Sequence, residues 1–237
     1  MIVYGINPLM EALNSRYSRL IKEVIVSRDK KNNRLVKLLE EVRARNIKLR
    51  FVDRNVIRSI TKTDSHQGVA FELEKIIFQD IEDVVSGGKN IVLCDSLQDP
   101  NNLGSIFRSA LLFGFDVVVI TKDRSVGITP NVIKVSTGAV FHLEIVKVIN
   151  LSRTIEFLRS NGYMVVGLDA EGEMDISELN VSFPIGLVVG SEGEGIRSLV
   201  RRKCDVVCRI STTGKLDSLN AAIASAIAMY EIFKKIL

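Results

Sequence analysis

Between residues 90 and 237 the chain alternates short apolar runs with helical stretches, and this alternation restricts the possible folds more than any other feature. The apolar runs are nearly continuous, which is typical of strands buried on both faces. Because parallel strands need a crossover of helical length between them, the pattern predicts the α/β fold class, with a parallel sheet covered by helices. The predicted strands are Ile91–Cys94, Val117–Thr121, Glu144–Val148, Tyr163–Leu168, Leu187–Gly190 and Cys204–Ile210, and the predicted helices are Leu103–Phe113, Asn131–Ser136, Leu151–Ser160, Ile196–Arg201 and Leu219–Ile236.

Residues 1–75 contain a second, smaller alternation of strands and helices, which predicts a compact α/β domain in front of the parallel sheet. One helix is expected to be capped by Asp53, because Asp is among the residue types preferred at helix N-termini. Residues 76–89 include the pair Gly87-Gly88 and precede the next clear strand, which indicates a linker. The expected organisation is therefore a domain at 1–75, a linker at 76–89 and a domain at 90–237.

The formal net charge of +4 is unevenly distributed. Residues 1–75 contain 16 Lys and Arg against 9 Asp and Glu, a net of +7, whereas residues 76–237 contain 16 against 19, a net of −3. A basic domain beside a mildly acidic one is typical of polyanion binding, although small domains are also basic for solubility. The candidate phosphate-binding residues are Arg16, Arg19, Lys22, Arg28, Lys30 and Lys31.

Membrane, disulfide and metal-site classes are disfavoured by the sequence. The N-terminus has no basic start followed by an apolar stretch, which disfavours a signal peptide, and the most apolar run, Leu219–Met229, is shorter than the roughly 20 residues of a membrane span. Three cysteines do not make a disulfide framework, and with two histidines a zinc site is not expected. Cys204 and Cys208 are expected on one face of a strand, as buried thiols. We therefore expect a cytoplasmic protein with no membrane association and no metal.

The first of three unusual loops follows the predicted strand Ile91–Cys94. Asn102 is placed to cap the next helix, and Arg108 comes six residues later, less than two helical turns along. Both side chains can then face one site, because ligands of such sheets bind beyond the carboxyl ends of the strands. An ordinary capped helix with a surface arginine is the alternative.

The second loop runs from Gly190 to Ile196 and has the glycine order G-x-x-G-x-G. It differs from the dinucleotide fingerprint G-x-G-x-x-G, and Glu192 and Glu194 stand where a pyrophosphate would need bare amide donors. This composition favours a loop that wraps a cationic or uncharged ligand, or that holds a glutamate at a reaction centre.

The third loop runs from Ile210 to Asn220 and leads into the last predicted helix. Its Gly214-Lys215 pair is not a Walker A loop, because Leu216 replaces the Ser or Thr of that motif. Ser218 and Asn220 open the helix, one expected as its cap and the other as a polar group on the first turn. Simple capping is the alternative for both.

In this order the three loops resemble the motifs of the SpoU (TrmH-type) branch of the SPOUT RNA 2′-O-methyltransferases. The resemblance rests on Asn102-Leu103-Gly104 with Arg108-Ser109-Ala110, on Gly190–Gly195, and on Ser218-Leu219-Asn220. In the front section, Tyr4–Pro8 and His66–Ala70 look like the start and end of the ribosomal-protein-like substrate-binding domain of many of these enzymes.

The chain departs from the family pattern in two places. It has Ile210-Ser211-Thr212 where Ile-Pro-Met is usual, and Ala221-Ala222 where a valine and a small residue are usual. These changes affect the expected adenine pocket without removing it.

The resemblance implies a trefoil-knotted domain that works as a homodimer through its methyltransferase domain and uses S-adenosyl-L-methionine. Gly190, Ile210 and Leu219 are expected to contact this cofactor. The reaction centre is expected to contain Asn102, Arg108, Glu192, Ser218 and Asn220.

The chemistry implied is methyl transfer to a ribose 2′-hydroxyl, the group that distinguishes RNA from DNA. Because a guanidinium stays protonated, we expect Arg108 to hold a phosphate and stabilise the developing alkoxide, with Glu192 ordering its loop. His66 and His142 are expected to be structural.

Front domains of this kind imply a guanosine of large-subunit ribosomal RNA as the target, with transfer RNA as the alternative. A non-catalytic RNA-binding protein of the same fold remains a competing hypothesis. A nucleotide-dependent enzyme is disfavoured by the glycine order of the second loop.

Overall fold

A computed structural model describes residues 1–29, 33–216 and 218–236. The strands are β1 (Ile2–Tyr4), β2 (Ile21–Ser27), β3 (Lys48–Val52), β4 (Val69–Leu73), β5 (Ile91–Cys94), β6 (Val117–Thr121), β7 (Glu144–Val148), β8 (Met164–Leu168), β9 (Met174–Asp175), β10 (Ile185–Val189) and β11 (Val206–Arg209). The α-helices are α1 (Ile6–Leu13), α2 (Asn33–Ala44), α3 (Arg54–Thr61), α4 (Ile81–Val85), α5 (Pro100–Leu112), α6 (Pro130–Val135), α7 (Leu151–Ser160), α8 (Ser198–Arg201) and α9 (Ala221–Phe233).

The chain divides into two compact units, each of which contains two separate segments of the sequence. The first unit contains residues 1–77 and 128–142, and the second contains residues 78–127 and 143–237. Residues 78–89, including α4, thus belong to the second unit, although the sequence indicates a linker there. The segment 128–142, which the sequence places with the parallel sheet, belongs to the first unit, where α6 packs against β1 and α1.

The first unit is built on a four-stranded sheet with the order β1-β4-β2-β3. Strand β4 runs antiparallel to β1 and β2, and β2 runs parallel to β3. Helix α2 buries Leu35, Leu38, Leu39 and Val42, whose spacing marks one helical face. The Tyr17 and Phe141 rings lie 5.1 Å apart, which ties the 128–142 segment into this core.

The second unit is built on a seven-stranded sheet with the order β7-β6-β5-β10-β8-β11-β9, in which every neighbouring pair is parallel. The predicted parallel sheet is therefore confirmed. Its central strands β5 and β10 are buried throughout, as their uninterrupted apolar composition requires. Since β5, β10, β8 and β11 are neighbours, the loops that follow them begin side by side at one edge of the sheet.

Several element boundaries differ from the predicted ones. The last strand is Val206–Arg209 rather than Cys204–Ile210, which leaves Cys204 in a turn and not on one strand face with Cys208. Burial raises the pKa of Cys204 to about 12 and that of Cys208 to about 11, and both thiols are therefore protonated at neutral pH. Within the described ranges, no helix is long and apolar enough to cross a membrane.

Candidate active site

Three polar side chains from the three loops meet at the carboxyl edge of the parallel sheet. Asn102 Nδ2 donates a hydrogen bond to Glu192 Oε1 over 2.9 Å, and Asn220 Nδ2 donates to Asn102 Oδ1 over 3.0 Å. Asn220 Nδ2 also donates to Glu192 Oε1. We call Asn102, Glu192 and Asn220 the amide–carboxylate cluster. Each member contacts both others, although Asn102 and Asn220 are 118 positions apart in the chain.

Asn102 reaches this cluster from inside α5 and does not cap that helix. The N-cap is Asp99, whose Oδ1 accepts from the backbone N–H of Asn101 over 2.9 Å, and Pro100 occupies the first helical position. The prediction that Asn102 is the cap was therefore wrong. Since Asp99 satisfies the end of the helix, the buried amide of Asn102 is available to the cluster.

Asn220 is the cap of α9 and a member of the cluster at the same time. Its Oδ1 accepts from the backbone N–H groups of Ala222 and Ile223, over 3.0 and 3.2 Å. The capping bonds fix which end of the amide points away from the helix, and this end carries the Nδ2 donor of the cluster. Ser218, two residues earlier, is exposed and makes no capping bond to α9.

Glycines hold the loop that carries Glu192 in a tight turn. Ser191 and Gly195 exchange two backbone hydrogen bonds of 3.2 and 3.1 Å. A Cβ on Gly190 would lie 2.1 Å from the carbonyl of Gly195, and Gly195 itself has a φ of +63°. Only glycine fits this close approach of two backbone segments. The glycines of the G-x-x-G-x-G motif therefore allow the loop to fold back on itself.

The backbone amides after this loop are already used by two carboxylates that sequence reasoning missed. The Arg197 N–H donates to Asp95 Oδ2 over 3.0 Å, and the Ile196 N–H donates to Asp169 Oδ2 over 3.4 Å. Asp95 is fully buried and also holds the Arg197 guanidinium, with Nε 2.7 Å from Oδ1. Because these two amides already donate to carboxylates, they are not available as donors to a phosphate. Asp95 directly follows β5 and Asp169 directly follows β8, and these positions are the sequence signal that could have identified them.

A cavity of about 660 Å³ lies beside the cluster, within the size range of small-molecule sites. The three predicted cofactor contacts, Gly190, Ile210 and Leu219, all line it, and so does Ser218. Apolar Leu168 and Val189 face the same space, together with several carboxylates. Apolar walls suit the adenine ring of S-adenosylmethionine, and carboxylates suit its cationic sulfonium and its ribose hydroxyls. The residues present thus fit this cofactor.

A second cavity, of about 350 Å³, adjoins the first. Both are lined by Ser191, Glu192, Glu194 and Arg197, and the second is also lined by Asn102. Glu192 of the amide–carboxylate cluster therefore borders both spaces, and Asn102 borders the second.

Among the predicted reaction-centre residues, Arg108 and Asn220 line neither cavity, but Asn220 bonds to the cluster and Arg108 does not. Arg108 is exposed, and no ion pair or side-chain hydrogen bond joins it to the cluster in the described part of the chain. Six helical residues turn the side-chain direction by about 240°, which is why Asn102 and Arg108 point to different sides of α5.

The candidate phosphate-binding residues of the first unit are not brought together into one patch. Arg19 and Lys22 are exposed at the start of β2, whereas Arg28 is exposed just beyond its end. Six residues of strand separate Lys22 from Arg28 by about 20 Å. Arg16 lies over the Tyr17 ring at 5.7 Å, and Lys30 and Lys31 lie outside the described residues.

Both histidines have packing partners in the first unit. His142 Nε2 lies 2.8 Å from Glu11 Oε2, and buried His66 Nδ1 accepts from the backbone N–H of Gly68 over 3.0 Å. These contacts are in keeping with the structural role expected for both.

Two family models match this chain. The SpoU rRNA Methylase family matches residues 89–230, and a model described as RNA 2′-O ribose methyltransferase substrate binding matches residues 2–78. The chain therefore belongs to the SpoU methylase family and is an RNA methyltransferase that binds S-adenosylmethionine.

Curated relatives cover almost the whole chain. A putative TrmH family tRNA/rRNA methyltransferase of Staphylococcus saprophyticus is 36% identical over 241 aligned residues, covering 99% of this chain and 96% of its own. The 23S rRNA (guanosine-2′-O-)-methyltransferase RlmB of Coxiella burnetii is 34% identical and covers 97% of this chain and 94% of its own.

Solved structures give the same fold. An AdoMet-bound rRNA methyltransferase from Sinorhizobium meliloti has a TM-score of 0.83 and 25% identity, and the match covers 100% of this chain and 87% of that one. The SpoU methyltransferase AviRb from Streptomyces viridochromogenes, in complex with AdoMet, has a TM-score of 0.79 at 23% identity over 100% of this chain and 90% of its own, and supports the fold. The trefoil knot stays a prediction.

Proposed function

We propose that this methyltransferase transfers a methyl group to a ribose 2′-hydroxyl, in a guanosine of large-subunit ribosomal RNA. The observation that carries the proposal is the amide–carboxylate cluster, of which Glu192 lines both cavities and Asn102 lines the second. A neutral hydroxyl needs a donor and an acceptor that orient it, and the Asn102 amide retains one of each beside its bonds to Glu192 and Asn220. The names of the family model at residues 2–78 and of the Coxiella relative support a 2′-O target.

The residues of the cluster act mainly by positioning. Bound S-adenosylmethionine supplies a methyl group on a sulfonium, and its transfer to an oxygen is an in-line displacement that depends on alignment. Asn102, which lines the second cavity, holds the hydroxyl oxygen in line, while Asn220 and Glu192 fix the position of the Asn102 amide. Ser218, at the mouth of the cofactor cavity, adds a further hydroxyl.

Arg108 binds an RNA phosphate on the exposed side of α5, and its separation from the cluster argues against the expected contact with the charge that develops on the ribose oxygen. Its exposure on α5 suits contact with a large substrate, and a guanidinium binds phosphate in bidentate fashion where an ammonium does not. Arg108→Lys should therefore lose activity, and full activity of this variant at neutral pH would contradict the role.

The protein is further proposed to be a homodimer through its methyltransferase domain. Helix α9 is apolar on nearly all sides, as expected of a helix buried all round, yet Ile223, Ile227 and Tyr230 are 54%, 36% and 48% exposed. Leu112 of α5, which packs beside α9, is 64% exposed. A second copy of the chain, packed against these exposed side chains of α9 and α5, explains why α9 is apolar on nearly all sides. Light scattering should give twice the chain mass, and Ile223→Glu with Tyr230→Glu should give the monomer.

The activity is tested by methyl transfer from labelled S-adenosylmethionine to total RNA of a strain that lacks the gene, followed by nucleoside analysis. The expected product is 2′-O-methylguanosine in large-subunit ribosomal RNA alone. The same label in transfer RNA would favour the alternative substrate, and a base-methylated nucleoside would contradict ribose methylation. Cofactor binding without transfer to any RNA would favour the non-catalytic RNA-binding hypothesis.

A further inference from the structure

The second cavity contains polar side chains that the proposed mechanism does not use. Most polar side chains that line this cavity already have hydrogen-bond partners. Arg197 and Ser96 bind Asp95, Asp99 caps α5, and Asn102 and Glu192 belong to the cluster. Gln98, Arg124 and Glu194 line the same cavity and are exposed. Across the described residues, none of these three side chains makes a hydrogen bond or an ion pair.

These three side chains come from separate loops at the carboxyl edge of the sheet. Gln98 follows β5, Arg124 follows β6 and Glu194 follows β10. Arg124 has a φ of +60°, in the left-handed region that a non-glycine residue adopts at a cost. Packing does not explain an exposed arginine at a strained backbone position. Residues of this kind cluster at ligand-binding sites, and the geometry therefore favours a role in binding.

We propose that the second cavity takes the base of the target nucleotide and that Gln98, Arg124 and Glu194 recognise it as guanine. The inference rests on the proposed function and deepens it. A base in this cavity, which Asn102 and Glu192 also line, has its ribose beside the amide–carboxylate cluster. The first cavity, on the other side of Glu192, takes the methyl donor. The nucleotide must leave its stack to enter, as in other enzymes that modify nucleotides within folded nucleic acids.

The hydrogen-bonding groups of Gln98, Arg124 and Glu194 match the edges of guanine. Guanine presents N–H donors on its Watson–Crick edge, which a carboxylate such as Glu194 accepts. It presents the acceptors O6 and N7 on the adjoining edge, which arginine binds in bidentate fashion. The Gln98 amide supplies a donor and an acceptor at the same cavity. Adenine offers an amino donor and no carbonyl acceptor in this direction, and it would leave Arg124 with a single acceptor.

The test compares Glu194→Gln and Arg124→Gln with the matched controls Glu173→Gln and Arg202→Gln, which change exposed residues of the second unit that line neither cavity. Steady-state methyl transfer gives KM for the RNA and kcat, and calorimetry gives the affinity for S-adenosylmethionine. Each cavity variant should raise KM for the RNA by roughly 5-fold to 100-fold, the effect of losing one specific base contact. The kcat should stay within about twofold of the wild type for both variants, and the affinity for S-adenosylmethionine should do so for Arg124→Gln, because Arg124 lines only the second of the two cavities. Both controls should match the wild type.

Nucleoside analysis of the double variant Arg124→Gln/Glu194→Gln sharpens the test, because it should methylate other nucleosides beside guanosine. If the wild type forms 2′-O-methylguanosine and the variants keep its KM and its product, the base-recognition proposal is wrong while the proposed function stands. Loss of affinity for S-adenosylmethionine in Arg124→Gln would assign that residue to cofactor binding and overturn the proposal, because Arg124 lines only the second of the two cavities. A wild-type product other than a 2′-O-methylated guanosine would refute the guanine assignment.

Discussion

The candidate sites of the two units relate to the sequence in opposite ways. In the second unit, Asn102, Glu192 and Asn220 are far apart in the chain and meet within hydrogen-bond distance. In the first unit, Lys22 and Arg28 are close in the chain and are held about 20 Å apart by β2. The difference reflects two kinds of chemistry. Aligning a reacting hydroxyl needs convergent groups, whereas binding the phosphates of a folded RNA needs charges spread over a surface.

The largest effect is expected when the convergent cluster loses a member. Asn220→Ala removes the amide that bonds Asn102 and Glu192, and it should lower kcat by roughly 100-fold or more. It also removes a helix cap, which costs about 1 kcal/mol of stability. Methyl transfer and urea unfolding measure the two effects separately.

The matched control for this variant is Asn150→Ala. Asn150 caps α7 through the backbone N–H of Arg153, in the same unit and away from both cavities. Both variants should lose similar stability, and only Asn220→Ala should lose activity. Equal losses of activity would mean that Asn220 acts through helix stability alone.

A smaller, additive effect is expected in the first unit. Arg19→Gln/Lys22→Gln and Arg28→Gln should each weaken RNA binding a few-fold, and their free-energy effects should add because the residues are far apart. Each lost phosphate contact should reduce the slope of log affinity against log salt by roughly 0.7 to 0.9. Filter binding to large-subunit ribosomal RNA over a salt series measures this, with Arg202→Gln as the charge-matched control. Strong coupling between the two ends of β2 would contradict a dispersed surface.

A further test concerns a long-range contact that supports the cofactor cavity. Asp175 Oδ2 accepts from the backbone N–H of Ser211 over 2.9 Å, next to Ile210. Asp175→Ala should weaken binding of S-adenosylmethionine about 3-fold to 10-fold, the equivalent of one hydrogen bond of roughly 1 kcal/mol. Ser177→Ala is the matched control, because it removes a bond to the same carboxylate and leaves the Ser211 contact. Calorimetry compares the two variants, and equal affinities would exclude a role for the Ser211 bond.

The contribution of Asp175 to stability has a defined pH range. Hydrogen bonds from Ser177 and Ser211 hold the pKa of Asp175 well below its usual value. Because the folded-state pKa is the lower one, the stabilisation is complete above the unfolded value of about 3.9 and is lost as the pH falls towards the folded pKa. The difference in Tm between wild type and Asp175→Ala should therefore be constant from pH 5 to 7 and shrink below pH 4.

The smallest effect is expected at Asp53. It occupies the N-cap position of α3 without a side-chain capping bond, and its contact with Arg28 is a long, exposed ion pair of 3.9 Å. Asp53→Ala should therefore cost less than about 0.5 kcal/mol, since exposed pairs contribute little. Urea unfolding beside Asn150→Ala makes the comparison, and a loss as large as that variant's would show that Asp53 is a working cap.

The local residue pattern predicted the limits of an element correctly where its residue types suit only one structural position. The strands Ile91–Cys94 and Val117–Thr121 have the predicted limits, because their apolar composition suits only a buried position. Short elements such as β1 and β9 were not predicted, since three or two residues carry no periodicity of their own. Among the caps, Asn220 was one of the two residues expected at α9, while Asn102 lies within α5 because Asp99 caps it.

The sequence by itself determined the α/β class, the parallel sheet and the three loops at its carboxyl edge, because apolar periodicity and glycine or capping residues act over a few positions. Only the tertiary structure decided that Asn102, Glu192 and Asn220 meet while Arg108 does not, and that residues 128–142 pack with the first unit. It also brought Asp95 and Asp169 to the amides of Arg197 and Ile196. The reason is the order of the strands. The neighbours β5, β10, β8 and β11 follow one another in space but not in the chain, and no local pattern of residues specifies that order.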